Sequence, residues 1–389
     1  CRLRARRARA AVRALAPTAA HLPRVSTGGG TGGHLYPGLA IARALVRLDA
    51  RVRPVFVGAR RGIEREVLPT TEFAHLLLDL HPLYRQRPWE NWRTVVGAGR
   101  SLGALAALFA RERPLAVLGT GGYAAGLALA YGVARGVPIL LQEADSHPGK
   151  TTRAFAPRAR DVFLGFPEAA RHLAPGTRTR VHAFGNPIEP PPPVPPDRAD
   201  ARAAWELPPD VRVVLLVFGG SQGARAINEV VAAWIGAGLP AGLGLVWATG
   251  RAQFDDYATL DRGAEGRVRV VPYLAPIAAA YAASDLALTR AGAMSIAELC
   301  AWGLPSVLVP LPTAAADHQT HNANALAAGG AAIALPQAEL SVARLDALVR
   351  ELLAAPDRLA GLVAAARSRG RPDAAERIAR QVILAMGGR

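Results

Sequence analysis

Two glycine-rich loops, each set between a strand-like and a helix-like run, constrain this chain more than any other feature. One lies in RVSTGGGTGGHLYPGLAIARALVRL (24–48) and the other in VRVVLLVFGGSQGARAINEVVAAWI (211–235). After each loop, apolar residues recur at three- and four-residue spacing, which indicates an amphipathic helix. Before the second loop, Val213–Phe218 is a continuous apolar run, typical of a strand buried on both faces. Only Leu22–Ser26 is available for the first strand, so the chain repeats one strand–loop–helix unit with a weaker first copy.

A proline-rich stretch separates the two units. GNPIEPPPPVPPDRAD (185–200) holds seven prolines, which cannot form a helix or a central strand, and we interpret it as a semi-rigid linker. Strand-like runs alternate with helical patterns on both sides, which predicts an α/β fold with two parallel-sheet domains and ligand sites at the carboxyl ends of the strands. The predicted strands are Pro54–Val57, Leu115–Leu118, Pro138–Leu141, Val213–Phe218, Gly244–Ala248, Val268–Val271, Leu286–Thr289 and Ser306–Val309.

The composition is that of a globular protein with a large positive charge. Of the 389 residues, 51% are hydrophobic, and 46 Lys and Arg against 30 Asp and Glu give a formal net charge of +16. Codon usage that favours arginine is one explanation, and an anionic partner (a phosphate ligand, a nucleic acid or a lipid surface) is the other. The basic segment 1–20 is expected to be disordered or non-native. No run of 18 apolar residues occurs, so no transmembrane helix is predicted, and two cysteines give no disulfide framework.

Three glycine loops have the character of anion sites, because free amides at a helix start bind phosphate and glycine lets it approach the backbone. They are 28–33, GTGGYAAG (119–126) and GGSQGA (219–224). The sequence has no GxxxxGK[ST] segment, GGTGGH (29–34) is out of GxGxxG register, and no DxD, HExxH or Cys/His cluster occurs. These patterns argue against a P-loop ATPase, a dinucleotide-binding enzyme and a metal site.

His34 follows the first loop, where the helix is expected to begin. The positive end of the helix dipole disfavours an imidazolium there, so the ring should be neutral and able to accept a proton. The alternative is a histidine that only caps or packs within the loop.

The second half holds two more polar stretches at strand ends. In TRAGAMSIAELCAWGLPSVLVP (289–310), a helix from Ala293 would put Ser295 and Glu298 on adjoining turns. A carboxylate one to two turns inside that helix can accept two hydrogen bonds from a vicinal diol, unless Glu298 is an ordinary surface acid. In PTAAADHQTHNANAL (312–326), the polar residues 317–322 indicate a site, although Asp317 is also a plausible helix cap.

In this order, GGTGGHLYPGLAIA, GTGGYAAG, GNP, GGSQGARAIN, RAGAMSIAEL and DHQTHNA resemble the MurG family, over about residues 24–385. The resemblance implies the GT-B fold, two Rossmann-like domains facing a cleft. It implies inverting transfer of N-acetylglucosamine from UDP-N-acetylglucosamine to the 4-hydroxyl of the muramoyl residue in undecaprenyl-pyrophosphoryl-MurNAc-pentapeptide (lipid I), in peptidoglycan synthesis. No cofactor and no metal ion are expected.

The same resemblance assigns a role to each part of the chain. Residues 21–186 would form the acceptor and membrane-associated domain, and 187–210 the linker. Residues 211–370 would bind UDP-N-acetylglucosamine, and 371–389 would be a helix that crosses back to the first domain.

By motif position, the resemblance also carries over site residues. Ser221 would contact the diphosphate, Leu274 the uracil, Glu298 the ribose hydroxyls and Gln319 the sugar hydroxyls. The helix start that would contact phosphate and nucleoside comprises Ala293, Met294, Ser295, Ile296 and Ala297. The reacting end beside His34 would be lined by Thr31, Gly32 and Gly33.

Two positions depart from the family pattern. In QEADSHPG (142–149), Asp145 stands where an asparagine is usual, and Glu189 stands after the GNP-I unit where an arginine is usual. That arginine contacts the donor in the family, so the donor contact at 189 is in question here.

The implied reaction needs a base for the acceptor hydroxyl and positive potential for the leaving diphosphate. His34 is the first candidate for the base, with Glu143 and Asp145 as alternatives, and positioned proton transfer contributes about 10²–10⁴-fold. Helix N-termini and Arg290 would supply the positive potential.

A lipid acceptor requires contact with a membrane. Residues 76–102, LLLDLHPLYRQRPWENWRTVVGAGRSL, mix apolar and aromatic residues, including Trp89 and Trp92, with arginines in an apparent loop. This mixture favours an anionic lipid interface; the alternative is ordinary core with solvated arginines. We expect a peripheral protein on the cytoplasmic face of the bacterial inner membrane, with no nucleic-acid partner.

Two other functions stay open at this point. Another GT-B enzyme acting on lipids, such as a diacylglycerol glycosyltransferase, would differ on the acceptor side, which sequence patterns describe poorly. A non-catalytic nucleotide-binding or nucleic-acid-binding protein would account for the charge, bind DNA in a salt-sensitive manner and release no UDP.

Overall fold

A computed structural model describes residues 24–28, 32–60, 62–80, 91–220 and 223–387. These residues form two sheets, and every strand pairing in them is parallel. The strands are β1 (Arg24–Gly28), β2 (Arg53–Ala59), β3 (Ala74–Leu78), β4 (Ala116–Gly119), β5 (Ile139–Glu143), β6 (Asp161–Leu164), β7 (Arg180–His182), β8 (Val213–Phe218), β9 (Leu243–Ala248), β10 (Val268–Val271), β11 (Leu286–Thr289), β12 (Ser306–Leu308) and β13 (Ala332–Ala334).

The strand order creates one crevice in each sheet. The first sheet runs β3-β2-β1-β4-β5-β6-β7 and the second β10-β9-β8-β11-β12-β13. In each, the direction in which strands are added reverses beside the first strand of that half, between β1 and β4 or between β8 and β11. Ligands of such sheets bind at the carboxyl ends of the strands flanking this reversal. The predicted glycine loops follow β1, β4 and β8, so all three begin at these crevices.

Helices cover both faces of each sheet, which explains why the central strands are apolar throughout. Single helical turns occur at Glu64–Val67 and Phe254–Tyr257. The longer helices are α1 (Gly32–Leu48), α2 (Asn91–Glu112), α3 (Gly122–Ala134), α4 (Lys150–Phe155), α5 (Arg198–Ala204), α6 (Arg225–Ala237), α7 (Ile277–Ala283), α8 (Ala293–Trp302), α9 (His318–Ala328), α10 (Val342–Ala354), α11 (Pro356–Arg369) and α12 (Ala374–Gly387).

Helix α12, the last of the chain, packs on the first sheet rather than on the second. It lies against α1, and its buried residues Ile378, Ala379 and Val382 belong to the same apolar cluster as Leu45 and Leu118. The Arg160 guanidinium donates a hydrogen bond to the carbonyl oxygen of Ala385 at 2.8 Å. The core of the first domain is therefore completed by residues from the far end of the sequence.

The two domains also share an apolar contact. Ala144 and Phe166 of the first domain lie in one buried cluster with Ile296 and Leu326 of the second. A buried cluster of this kind excludes water between the domains and fixes α8 and α9 against the ends of β5 and β6.

The predicted α/β class with two parallel sheets is confirmed. Within the predicted linker, α5 is helical, and the Asp197 carboxylate caps it by accepting from the amides of Ala199 and Asp200. The prediction that the tryptophan–arginine stretch is a loop is wrong at its start, where residues 76–78 belong to β3, and from Asn91 onward, where α2 begins. Residues 1–20 and 81–90, including Trp89, lie outside the described residues, as does the side chain of Trp92.

Of the described helices, none is both long and apolar enough to cross a bilayer.

Candidate functional site

His34 lies in the first turn of α1, and its ring packs against the second glycine loop. A Cβ added to Gly121 would lie 2.4 Å from His34 Cδ2 and 2.6 Å from Nε2, and the φ of Gly121 is +108°. Only glycine tolerates both this backbone conformation and this approach. The first two glycine loops therefore meet through one imidazole.

Burial lowers the pKa of His34 below its ordinary value of 6.5, since transfer from water disfavours the charged ring. The nearby carboxylate of Asp145 opposes this shift, and His318 of the second domain adds to it. A neutral ring agrees with the expectation from the sequence, and burial is the main cause of the lowered pKa.

Glu143, the alternative base, ends β5 and is buried. Its Oε1 accepts a hydrogen bond from the Asp145 amide at 3.1 Å, and its Oε2 accepts one from the Gly149 amide at 3.0 Å. Burial raises the pKa of the Glu143 carboxyl. Both oxygens thus hold the backbone of the loop that carries Asp145.

Asp145 makes the polar contact between the domains. Its Oδ1 accepts a hydrogen bond from Asn322 Nδ2 at 2.8 Å, and Asn322 Oδ1 accepts one from the Ser146 amide at 2.8 Å. Asn322 is fully buried on α9. A carboxylate at 145 suits this pairing, because it can only accept while the Asn322 amide group donates. Asp145, which stands where the family usually has an asparagine, therefore has a hydrogen-bond partner in the second domain.

A cleft of about 600 Å³ opens at the carboxyl ends of β8 and β11. Ser295 and Gln319, both expected from the sequence, line it together with Arg290 and the third glycine loop. In that loop, Gly223 has φ +75°, and an added Cβ would lie 2.1 Å from the Thr249 carbonyl oxygen, so no side chain fits. Gly219, Gly220 and Gly223 line the cleft without side chains, so an incoming phosphate can approach the backbone there.

The polar side chains of this cleft are held in place. The Arg290 guanidinium donates to the carbonyl oxygens of Val309 and Pro310 at 3.2 Å, and Gln319 Oε1 accepts from the Leu311 amide at 3.0 Å. These bonds fix the cation and the amide before any ligand arrives.

Glu298 lies one turn behind Ser295 on α8. The Tyr281 hydroxyl donates to Glu298 Oε2 at 2.7 Å. Burial raises the pKa of the Glu298 carboxyl, and this hydrogen bond acts in the opposite direction. Glu298 is thus an oriented, half-buried carboxylate rather than a solvated surface acid.

The remaining predicted residues are spread over several environments. Leu274 is 5% exposed and packs in the core, whereas its neighbour Tyr273 is 48% exposed with the Arg251 guanidinium 5.4 Å from its ring centre. Ala293 and Ile296 belong to the interdomain apolar cluster, and Ala297 lines a smaller cavity on the same side of α8. Met294 is half-buried, Gly33 is exposed and Gly32 begins α1. Thr31 and Ser221 lie outside the described residues, and Glu189 is exposed.

Sequence reasoning did not single out Tyr273, Arg251 and Tyr281. An aromatic residue two positions after the predicted strand Val268–Val271 is the one signal that could have identified Tyr273. The contacts of Arg251 and Tyr281 depend on tertiary packing.

Two family profiles match the chain. The glycosyltransferase family 28 N-terminal domain matches residues 25–164, and the glycosyltransferase family 28 C-terminal domain matches residues 214–378. The first profile spans β1 to β6 of the first sheet and ends before β7, and the second profile spans β8 to β13 of the second sheet.

Similar proteins extend this match over nearly the whole chain. The UDP-N-acetylglucosamine–N-acetylmuramyl-(pentapeptide) pyrophosphoryl-undecaprenol N-acetylglucosamine transferase of Moorella thermoacetica is 40% identical over 374 residues, covering 92% of this chain and 98% of that protein. The transferase of the same name from Salinibacter ruber is 39% identical over 375 residues, covering 92% and 95%. The crystal structure of Acinetobacter baumannii MurG superposes with a TM-score of 0.73 at 26% identity, covering 94% of this chain and all of that one.

Proposed function

This chain belongs to the MurG family of glycosyltransferase family 28, and on that premise we propose how its two domains divide the reaction. The chain is a UDP-N-acetylglucosamine-dependent transferase that converts lipid I to lipid II in peptidoglycan synthesis. In our proposal, residues 211–370 bind the donor and residues 21–186 hold the acceptor. Residues 187–210 link these domains, and residues 371–389 return to the first.

One observation carries this division: α9 joins the two halves of the site within a single turn. Gln319 lines the cleft of the second domain, and three residues later Asn322 binds Asp145 of the first domain. The carboxylate of Asp145 in turn acts on the His34 ring. A sugar held near Gln319 would therefore lie beside the neutral imidazole.

We assign the proton transfer to His34. The oxygen of the muramoyl 4-hydroxyl attacks the anomeric carbon, the bond from that carbon to the UDP oxygen breaks, and the diphosphate takes the electron pair. Attack on the face opposite the leaving group inverts the anomeric centre. His34 accepts the hydroxyl proton, and the nearby Asp145 carboxylate stabilises the imidazolium that forms. Glu143 is a positioning residue in this scheme, because both of its oxygens hold the Asp145 loop.

The donor diphosphate is assigned to the third glycine loop and the start of α8. Helix N-termini and backbone amides favour the charge that develops on the leaving group. Arg290, fixed by two carbonyl oxygens, adds a full positive charge beside them. Glu298 would accept hydrogen bonds from the ribose diol.

The assignment is tested by UDP release from UDP-N-acetylglucosamine. Release should depend on a lipid I analogue and stay at background with diacylglycerol. Equal release with both lipids would point to a broader lipid glycosyltransferase, and no release with either would leave nucleotide binding without transfer.

Gly121→Ala should lower kcat by roughly tenfold or more, since displacing a catalytic group by about 1 Å can cost 10²-fold. The new methyl group would lie 2.4 Å from the His34 ring, so the ring must move. Steady-state kinetics with a lipid I analogue measure the effect, and UDP affinity should be retained.

The matched control is Gly126→Ala on α3, where an added Cβ lies 3.7 Å from the Thr151 methyl, an ordinary contact. If both variants keep wild-type kcat, the contact between Gly121 and His34 has no part in turnover.

We further propose that the protein binds the membrane surface peripherally through the tryptophan–arginine stretch. Trp89→Ser combined with Trp92→Ser should release the protein from anionic vesicles while UDP binding is retained, because aromatic side chains anchor at the lipid interface. Vesicle sedimentation measures this release. Val194→Ser, at an apolar residue of the linker that is 83% exposed, is the control and should sediment like wild type. Unchanged sedimentation of the double variant would contradict the assignment.

A further inference from the structure

A second cavity, of about 560 Å³, lies between the domains and shares no lining residue with the cleft at β8 and β11. Its first wall is the segment after β5, with Ser146 and His147. Its second is the segment after β6, with Glu168, Arg171 and His172. α9 and the end of α11 close it from the second domain. The reaction proposed above makes no use of this cavity.

Three imidazoles line the cavity, with the His147 ring between the other two: it is stacked on His321 and tilted by 52° against His172. The ring centre of His147 lies 4.6 Å from that of His172 and 5.0 Å from that of His321, and the His147 and His321 planes are 22° apart. In the part of the chain that the structure describes, no group of three His, Cys, Asp or Glu side chains is arranged to hold a metal ion. The cluster therefore offers hydrogen-bonding edges to a ligand in the cavity.

Three side chains that line the cavity each hold one buried polar atom without a hydrogen-bond partner: Ser146 Oγ, Glu168 Oε2 and Arg369 Nε. Buried polar atoms are nearly always paired, so three orphans around one cavity need an explanation. Neither long side chain is free to turn away, because Arg369 Nη2 donates to Glu168 Oε1 at 2.5 Å and to the Ala325 carbonyl oxygen at 3.0 Å. This ion pair crosses between the domains and aligns one unused donor and one unused acceptor.

The unused groups match a phosphate oxyanion that keeps one proton. Arg369 Nε–H, the Ser146 hydroxyl and the guanidinium of Arg171 donate to phosphate oxygens, as do imidazole N–H groups. Glu168 Oε2 can only accept, so it requires a ligand that carries a hydrogen. The volume falls within the range of about 300–1,000 Å³ of small-molecule sites, which leaves room for an organic group on the phosphate.

We propose that this interdomain cavity binds a small phosphate monoester, with Arg369, Arg171 and Ser146 as donors and Glu168 as the acceptor for its remaining proton. Because side chains of both domains would bind the monoester, the bound monoester would fix the two domains against each other. The site is separate from the donor cleft, so its test does not depend on turnover.

The test is calorimetry at pH 5.5, below the second pKa of about 6 of a phosphate monoester, with saturating UDP so that the donor cleft is occupied. Glucose 6-phosphate is the monoester probe, and inorganic phosphate and glucose 6-sulfate are comparators. Glucose 6-phosphate should bind at least as tightly as inorganic phosphate. It should bind about tenfold or more tightly than the sulfate ester, which has no proton for Glu168.

Variants locate the binding. Arg171→Gln and Ser146→Ala should each weaken the binding of glucose 6-phosphate by about tenfold. This is the lower end of the range for losing one hydrogen bond to a charged group. Arg178→Gln, an equal charge change at an exposed arginine of the same domain, should leave the affinity unchanged. Three results would overturn the proposal: no heat under saturating UDP, equal affinity for the sulfate ester, or equal losses in Arg171→Gln and Arg178→Gln.

Discussion

Replacing His34 by alanine is expected to lower kcat by about 10²–10⁴-fold, the usual contribution of a positioned base. The affinity for UDP-N-acetylglucosamine should stay nearly unchanged, because the donor is assigned to the second domain. Single-turnover assays with a lipid I analogue give the rate, and calorimetry with UDP gives the affinity.

Two measurements separate this role from simple packing against Gly121. His34→Gln keeps a polar side chain at this position but supplies no base, so its melting temperature should stay near wild type while its kcat falls as in the alanine variant. In wild type, the lowered pKa of His34 keeps the ring neutral below pH 6.5. kcat/KM should therefore fall only as the pH drops through that lowered value. A folded variant with near-normal turnover would transfer the role of base to Asp145.

Glu298→Ala should weaken UDP-N-acetylglucosamine binding by about 1.5–3 kcal/mol, the range for hydrogen bonds to a charged group. Tyr281 orients the carboxylate through one oxygen, so the other is available to the ribose diol. Calorimetry with UDP measures the loss. Because burial raises the pKa of Glu298 above its ordinary 4.5, UDP affinity should also fall as the pH drops through that raised value.

Tyr281→Phe tests whether the orientation of the carboxylate matters. This variant keeps the Glu298 charge and removes the hydroxyl that holds it, so the loss of affinity should be smaller than in Glu298→Ala. If Glu298→Ala binds UDP as wild type does, Glu298 supports only the packing between α7 and α8.

The central strands could be predicted from the sequence because their apolar runs are long. The bounds of β8, β10 and β11 agree with the runs read from the chain. The strands β3, β6, β7 and β13 were missed. β6 is an interior strand, but it is only four residues long and begins with the charged Asp161, so its apolar run is short. β3 and β7 lie at the two edges of the first sheet and β13 at an edge of the second. An edge strand has one paired neighbour, so short segments such as Arg180–His182 or Ala332–Ala334 become strands through pairing rather than through a pattern of their own.

The site was predictable where one segment carries both the loop and the reacting group. His34 directly follows the first glycine loop, and Ser295 lies in the first turn of α8. The contacts between distant segments were not predictable, because they depend on how the domains meet. Asn322 reaches Asp145 across 177 residues of sequence, and Gly121 makes room for a ring that begins α1. Burial was not predictable at one further point: Leu274, which motif position assigns to the uracil, is buried, whereas its neighbour Tyr273 is exposed.

Helix α12 has a consequence for how the protein is made. The first domain leaves the ribosome first, yet the apolar face that α12 covers beside Leu45 and Leu118 stays open until residues 374–387 emerge. At bacterial elongation rates, the wait after β7 lasts roughly 10 to 40 s. During that time the earlier-made half is a sheet with one uncovered face, whereas the later-made half has all of its strands, β8 to β13, before α12 is made. Assembly therefore runs against the order of translation, and a chain stalled after the linker would expose the surface that chaperones bind.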